Sequence, residues 1–352
     1  MVVSDRVSDY AYELPAGLIA QQPAVRRDDS RLLVIPPSGP FEHRGIRDLL
    51  DLLDPGDLLV VNESRVLPAR LLGRKTTGAQ AEILLLSPTQ PERDPLVWEA
   101  LVRPGRKLRP GAVVDIGDDL RVEILEVVPS GNRVVRLQTD LSVEEAMDRY
   151  GSMPLPPYIE READAADRER YQTVYARESG SVAAPTAGLH FTDELLHKIE
   201  QRGIERAAVT LHVGIGTFRP VEVDDPAEHP MHRERYHVPD AVVEAIERTR
   251  ARSGRVWAVG TTAVRTLEAA ADPDGAVRSG WGDTDLFIRP PYDYRVVDGL
   301  LTNFHLPRST LIMLVAALAG YGRTMDAYAE AVRERYRFYS YGDAMAVIPA
   351  PR

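Results

Sequence analysis

VWAVGTTAVRTLEAAA, residues Val256 to Ala271, sets an apolar strand against a helix across a single glycine. Unbroken apolar residues before Gly260 read as a strand buried on both faces, and the run after it carries apolar positions at helical spacing. A buried strand turning directly into a helix is the building unit of an α/β layer. The turn also leaves the first backbone N–H groups of the helix without intrahelical partners. Those groups, with Thr261 and Thr262, form a cradle for an anionic or polyhydroxyl ligand. Thr is equally an ordinary N-cap residue, so plain structure competes with the ligand reading.

Outward from this block the alternation continues: strand Ala207–Val213, helix Asp240–Arg252, strand Arg255–Gly260, helix Thr262–Ala271 and strand Asp285–Ile288. Ser309–Ala319 reads as a helix apolar on every face and therefore buried, Met325–Tyr336 as an amphipathic helix, and Ala344–Ile348 as a closing strand. Between the N-terminal and C-terminal α/β parts the texture changes. Ala81–Ser87, Val97–Val102, Val113–Ile116, Val122–Val128 and Val134–Gln138 are short β-branched runs parted by Pro/Gly turns, the rhythm of a barrel or sandwich. The fold class expected is α/β, multi-domain: a mixed α/β major domain from 1–70 plus 146–352, with a small all-β, barrel-like domain inserted at 71–145. The proline-stiffened link Met153–Tyr158 (MPLPPY) precedes a charge-dense stretch, Glu160–Arg170, read as a solvated helix.

The 352 residues, 44% hydrophobic, are enough for both cores. The apolar run Leu311–Ala319 is too short to span a bilayer and the N-terminus lacks a secretory signal pattern, so a soluble cytoplasmic protein without membrane contact is expected. With no Cys, thiolate, disulfide and Cys-ligated metal chemistry drop out, leaving His, carboxylates, hydroxyls and cations to carry any reaction. A net charge of −10 means that nucleic acid would need a local basic patch.

Several blocks offer chemistry. PTAGLHFT (Pro185–Thr192) puts Thr186 and His190 in a turn before a helix capped by Thr192. TLHVGIGTFRPV (Thr210–Val221) carries His212 into Gly214 and Gly216, where backbone can approach a ligand closely, but it lacks the GxGxxG dinucleotide fingerprint. EHPMHRERYH (Glu228–His237) fits no metal-ligand spacing, and Pro230 breaks the helix that would align His229 with His232, so no metal is expected. It reads instead as a polar loop whose His232 or Glu234 faces a substrate. Thr284–Leu311 holds Asp285, a loop rich in Arg, Tyr and Pro, then Asn303, His305 and Ser309 before the buried helix. Aromatics interleaved with Arg suit base stacking and phosphate contact, and suit an ordinary exposed loop as well. VRPGRKLRPG, with Arg103, Arg106, Lys107 and Arg109, is a basic hairpin in an acidic protein.

In order along the chain, DYAYELPAGLIAQQP, VVNESRVLPARLLGRK, APTAGLHFT, LHVGIGTFRPV, HPMHRERYHV, VGTTAVRTLEA, TDLFIRPPYDYRVVDGLLTNFHLPRSTLIMLVAALAG and YRFYSYGDAM together resemble the S-adenosylmethionine:tRNA ribosyltransferase-isomerases of queuosine biosynthesis. The resemblance implies transfer and isomerisation of the ribosyl part of S-adenosylmethionine onto 7-aminomethyl-7-deazaguanine in the anticodon loop of tRNAs with GUN anticodons. The product is epoxyqueuosine-tRNA, and adenine and methionine leave. S-adenosylmethionine is then a co-substrate, no prosthetic group or metal is needed, and a monomer is expected.

For that reaction a base near neutral pKa removes a C5′ proton acidified by the sulfonium, and His190 and His212 are the candidates. Protonation of departing adenine falls to Asp285 or Glu234. Thr186, Gly214, Gly216, Thr217, Thr261, Thr262 and Arg265 are the candidate co-substrate contacts. Arg65, Arg70, Arg103, Arg106, Lys107 and Arg289 are candidate RNA phosphate contacts; Asn303 joins them, with Phe218, Phe287 or Phe304 for stacking. Two other classes compete: an S-adenosylmethionine-dependent RNA methyltransferase, which would release S-adenosylhomocysteine, and a non-catalytic RNA-binding protein, which would bind tRNA without turnover.

Overall fold

The computed structural model describes residues 6–90, 92–214, 221 and 223–348. Among the described residues eighteen strands follow one another. First come β1 (Arg31–Ile35), β2 (Glu42–Gly45), β3 (Leu58–Asn62) and β4 (Ser64–Val66), then β5 (Arg70–Lys75), β6 (Gln80–Gln90), β7 (Asp94–Arg103), β8 (Val113–Gly117), β9 (Leu120–Val127) and β10 (Arg133–Gln138). After helix α1 (Val143–Tyr150) follow β11 (Gly151–Ser152), β12 (Glu178–Ser181), β13 (Glu205–Leu211), β14 (Glu234–Val238), β15 (Val256–Val259), β16 (Gly280–Thr284), β17 (Gly299–Asn303) and β18 (Ala344–Val347). The other helices are α2 (Asp167–Arg170), α3 (Asp193–Gln201), α4 (Asp240–Ala251), α5 (Gly260–Ala270), α6 (Thr310–Ala319) and α7 (Tyr321–Arg333).

Nine strands form one mixed sheet in the order β16-β14-β13-β3-β15-β17-β18-β1-β2, with β13, β3, β15 and β17 parallel. Alternation along these strands sorts their side chains into two cores, because successive residues point to opposite faces. Val60, Val209, Ala258 and Leu300 pack with α4, α5, α6 and α7 on one face, while Leu59, Val61, Trp257 and Leu301 pack with α3 and the Ile46–Asp51 turn on the other. Both faces are covered, which is why LLVV and VWAV read as unbroken apolar runs. Six antiparallel strands, β5-β6-β7-β10-β9-β8, close into a barrel through pairing of β5 with β8 at Arg74–Asp115 and Lys75–Val114. Helix α1, started by a Ser142–Glu145 capping box, lends Ala146 and Met147 to the barrel core.

Three expectations are corrected. Asp285–Ile288 is not a strand: pairing with β14 uses Gly280–Thr284, and the chain then leaves the sheet so that Ile288 is buried against the main core. Of Glu160–Arg170 only Asp167–Arg170 is helical, because the buried Asp167 carboxylate accepts two bonds from Arg161 and one from Tyr341 Oη at 2.6–2.7 Å. The basic Val102–Gly111 segment is no hairpin but the end of β7 followed by a tight helical turn, Gly105–Lys107, held by buried Arg133 through the carbonyls of Gly105 and Leu108. The closing strand occurs as β18, inside the sheet between β17, antiparallel, and β1, parallel.

Candidate functional site

Because β13, β15 and β17 are parallel, their carboxyl ends open on the same side of the sheet, where α/β proteins bind ligands. At β15 the chain enters α5 through Gly260 at φ +85°, a left-handed conformation that a side chain would strain. The turn sets Thr261 and Thr262 in the wall of a cleft. Facing them are Thr186 from the 185–187 turn, Asn303 from the end of β17, and Tyr158, Tyr339 and Ser340. Thr186 Oγ1 donates to Asn303 Oδ1 at 2.9 Å, and Asn303 Nδ2 donates to the Tyr339 carbonyl at 3.1 Å, so three distant segments are locked together around the opening. Thr262 Oγ1 is buried with no hydrogen-bond partner among the described residues. Tyr339 holds φ +71°, a conformation that a non-glycine residue adopts at some energetic cost.

A second cavity adjoins the first, with Leu311 lining both. Its polar residues are His229, His232, Glu234, Arg265 and Thr310; Met231, Leu286, Phe287, Ile288 and Leu314 complete the wall. Glu234 and Arg265 form an ion pair, both buried. Glu234 Oε1 also accepts from Gly214 N at 2.9 Å, and Arg265 Nε donates to the Leu286 carbonyl at 3.3 Å. His229 stands edge-on to Phe287, and burial, then the neighbouring His232, lowers its pKa.

Thr186, Thr261, Thr262 and Asn303 thus meet in the first cleft, and Glu234 and Arg265 in the second cavity, with Phe287. The proposed bases lie elsewhere. His190 is buried, its Nδ1 3.1 Å from the Ala187 carbonyl and its Nε2 3.0 Å from the Gly342 carbonyl, so its ring ties two loops together and its pKa is lowered, mainly by burial. His212 lines neither cavity; its ring stacks on Trp281 and abuts Gly180, and burial, then Arg235, lowers its pKa. Asp285 is exposed outside both cavities. Gly216, Thr217 and Phe218 lie outside the described residues.

Among the proposed RNA contacts, Arg65, Arg103, Arg106 and Lys107 are exposed, and Arg70 is paired with Glu82 at 3.0 Å. Arg289 lies 6.0 Å over the Phe287 ring. Phe304 is corrected: its ring is fully buried among Tyr328, Tyr336 and Phe338, so no face is open to a nucleobase. The Tyr-rich loop is likewise committed inward, with Tyr294 Oη donating to the Leu314 carbonyl at 2.9 Å and Tyr292 Oη to Glu268 at 3.2 Å. Sequence reasoning passed over Tyr158, Tyr339 and Ser340 as site residues. Nothing local marks them, because they reach the cleft only through contacts with Asn303 and one another.

The profile of a family described as queuosine biosynthesis protein matches residues 7–347. The chain is similar to the S-adenosylmethionine:tRNA ribosyltransferase-isomerase of Symbiobacterium thermophilum, 54% identical over 97% of this chain and 100% of the relative. The enzyme of the same name from Desulfitobacterium hafniense is 51% identical, with the same coverage. Among solved structures, the crystal structure of S-adenosylmethionine tRNA ribosyltransferase from Thermotoga maritima aligns with a TM-score of 0.56 at 40% identity, covering 97% of this chain and 100% of that one.

Proposed function

This chain belongs to the queuosine biosynthesis protein family, and we infer from that premise that it is an S-adenosylmethionine:tRNA ribosyltransferase-isomerase. The observation that carries the inference is identity of about half the residues, end to end, with enzymes of that name. It is a transferase with S-adenosylmethionine and tRNA as substrates. We propose further that the acceptor is 7-aminomethyl-7-deazaguanine in tRNAs with GUN anticodons and that the enzyme acts as a cytoplasmic monomer without a prosthetic group. Net ribosyl transfer with loss of adenine and methionine is redox-neutral, so the chemistry calls for no electron-transferring cofactor.

In this reading the first cleft takes the nucleoside, with Thr261, Thr262 and Thr186 beside the ribose and Asn303 beside the base. The proton-accepting role passes from His190 and His212 to His229, whose lowered pKa leaves it neutral and receptive at pH 7 and whose ring lines the adjoining cavity. One assay tests both statements: the protein is incubated with S-adenosylmethionine and tRNA carrying the aminomethyl base, and the small products are quantified. Adenine and methionine in equal amounts are expected, and S-adenosylhomocysteine in their place would mean methyl transfer. His229→Gln is expected to cut turnover by about 10²-fold or more. A greater loss in His212→Gln than in His229→Gln would return the base to His212.

We propose that the barrel, residues 71–145, is an inserted domain that carries the RNA backbone contact. Arg103 at the end of β7 and Arg106 and Lys107 on the turn after it stand exposed, and Arg74 and Lys75 line a groove that also includes Arg103. Replacing Arg106 and Lys107 together by Gln is expected to weaken tRNA binding and to flatten its salt dependence by about 0.7–0.9 in log–log slope per lost phosphate contact. S-adenosylmethionine affinity is expected to stay constant. An unchanged salt slope would remove this turn from the interface.

A further inference from the structure

Helix α5 presents polar groups to both cavities from positions one turn apart: Thr262 in the wall of the first and Arg265 in the wall of the second. Each carries a buried polar atom without a hydrogen-bond partner among the described residues, Thr262 Oγ1 and Arg265 Nη2. The Arg265 side chain is only 7% exposed, and its other two nitrogens are committed to Glu234 and the Leu286 carbonyl. A guanidinium nitrogen withdrawn from water and left unpaired is a strong standing demand for an anionic oxygen. Part of the wall around it is apolar, with Met231, Leu286, Ile288, Leu311 and Leu314, and His229, His232 and Thr310 complete its polar part. Glu234 sets a negative charge beside the cation on the same wall.

An anion-seeking nitrogen next to a fixed carboxylate, in a cavity with an apolar stretch of wall, is complementary to an α-amino acid with an unbranched hydrophobic side chain. We propose that the second cavity is the methionyl subsite. Arg265 Nη2 takes the α-carboxylate of S-adenosylmethionine, the charge of Glu234 attracts its α-ammonium, and the apolar wall receives the methylene chain, while ribose and adenine occupy the first cleft beside Thr262. The sulfonium then falls near Leu311, where the two cavities meet, and C5′ lies between them. This assignment rests on the ribosyl-transfer reading. It also distinguishes the two ends of the co-substrate, which the strand, glycine turn and helix alone do not.

Competition against labelled S-adenosylmethionine on the full-length protein tests it, with L-methionine, L-methioninol and adenosine as probes. L-Methionine is expected to compete, and L-methioninol, which lacks the carboxylate, to bind at least about tenfold more weakly. Arg265→Gln is expected to weaken L-methionine by at least about tenfold while adenosine affinity stays unchanged, which also verifies that the variant is folded. Leu314→Trp, filling the apolar wall without touching the charges, is expected to exclude L-methionine and spare adenosine. Equal binding of L-methionine to wild type and Arg265→Gln, or loss of adenosine in place of methionine, overturns the subsite. Adenine release by the wild type is measured in parallel: turnover with unaltered methionine affinity in Arg265→Gln overturns the subsite and leaves ribosyl transfer standing, whereas methionine capture without adenine release overturns ribosyl transfer and leaves the subsite.

Discussion

Glu268→Ala is expected to lower the free energy of unfolding by about 3–5 kcal/mol, a loss in the range of breaking a buried charged network. Glu268 is 2% exposed on α5 and accepts hydrogen bonds from the backbone N–H groups of Arg295, Val296 and Val297, each at 3.0 Å, and from Tyr292 Oη at 3.2 Å. Truncation strands those donors, two of them on buried valines. The same helix supports the cleft at its first turn, so the loop that leads into β17 is pinned to the element that positions Thr261 and Thr262. Urea unfolding measures the loss. Glu268→Gln, which keeps one acceptor oxygen, is expected to fall between alanine and wild type. A loss below about 1 kcal/mol for alanine would mean that the loop is held by its apolar contacts.

Acid is expected to destabilise the fold through His305, and His305→Gln to remove part of that effect. Burial pushes the His305 imidazole down from 6.5 to about 3. Its Nε2 lies 3.0 Å from Thr302 Oγ1, its backbone N–H donates to Tyr328 Oη at 3.0 Å, and its carbonyl accepts from Tyr12 Oη. Above about pH 6.5 the ring is neutral in both folded and unfolded chains and adds no pH dependence. Between about 6.5 and 3 the unfolded chain binds a proton that the folded one refuses, so stability falls as pH falls, by up to about 1.4 kcal/mol per pH unit from this group. Below about 3 both forms are charged and the slope from this group vanishes. His190 and His212, also held below their ordinary values, contribute in the same direction. Denaturant titrations from pH 7 to 4 therefore have a steeper fall for wild type than for His305→Gln. Parallel curves would mean that His305 protonates within the folded protein.

Much of the architecture is local and was legible. The run VWAV, the turn at Gly260 and the helix after it occur as read, and Ser309 caps the buried helix α6 through a bond to Ile312 N. The barrel strands match their β-branched runs because each alternates inward and outward residues over one small core. Asp285–Ile288 misled because hydrophobic periodicity reports burial, and here Ile288 is buried by leaving the sheet. The Arg- and Tyr-rich loop misled for a related reason: its composition suits RNA, but the Tyr292 and Tyr294 hydroxyls are spent on Glu268 and Leu314.

By itself the sequence determined the α/β layers, the barrel, the strand, glycine turn and helix that build the cleft, and the residue types available for its chemistry. Only the tertiary structure decided which of the candidate histidines stands beside the Glu234–Arg265 pair. His190 is claimed by a carbonyl 152 positions away and His212 turns toward Trp281, whereas His229 comes beside Arg265 and Glu234. It also decided that β18 inserts between β17 and β1. The reason is physical: side-chain period and turn chemistry are set by neighbours within a few residues, so they are written in the local sequence. Strand order, the pairing of Glu234 with Arg265 and the direction of a ring are set by contacts between distant segments, whose energies exist only once the sheet has assembled.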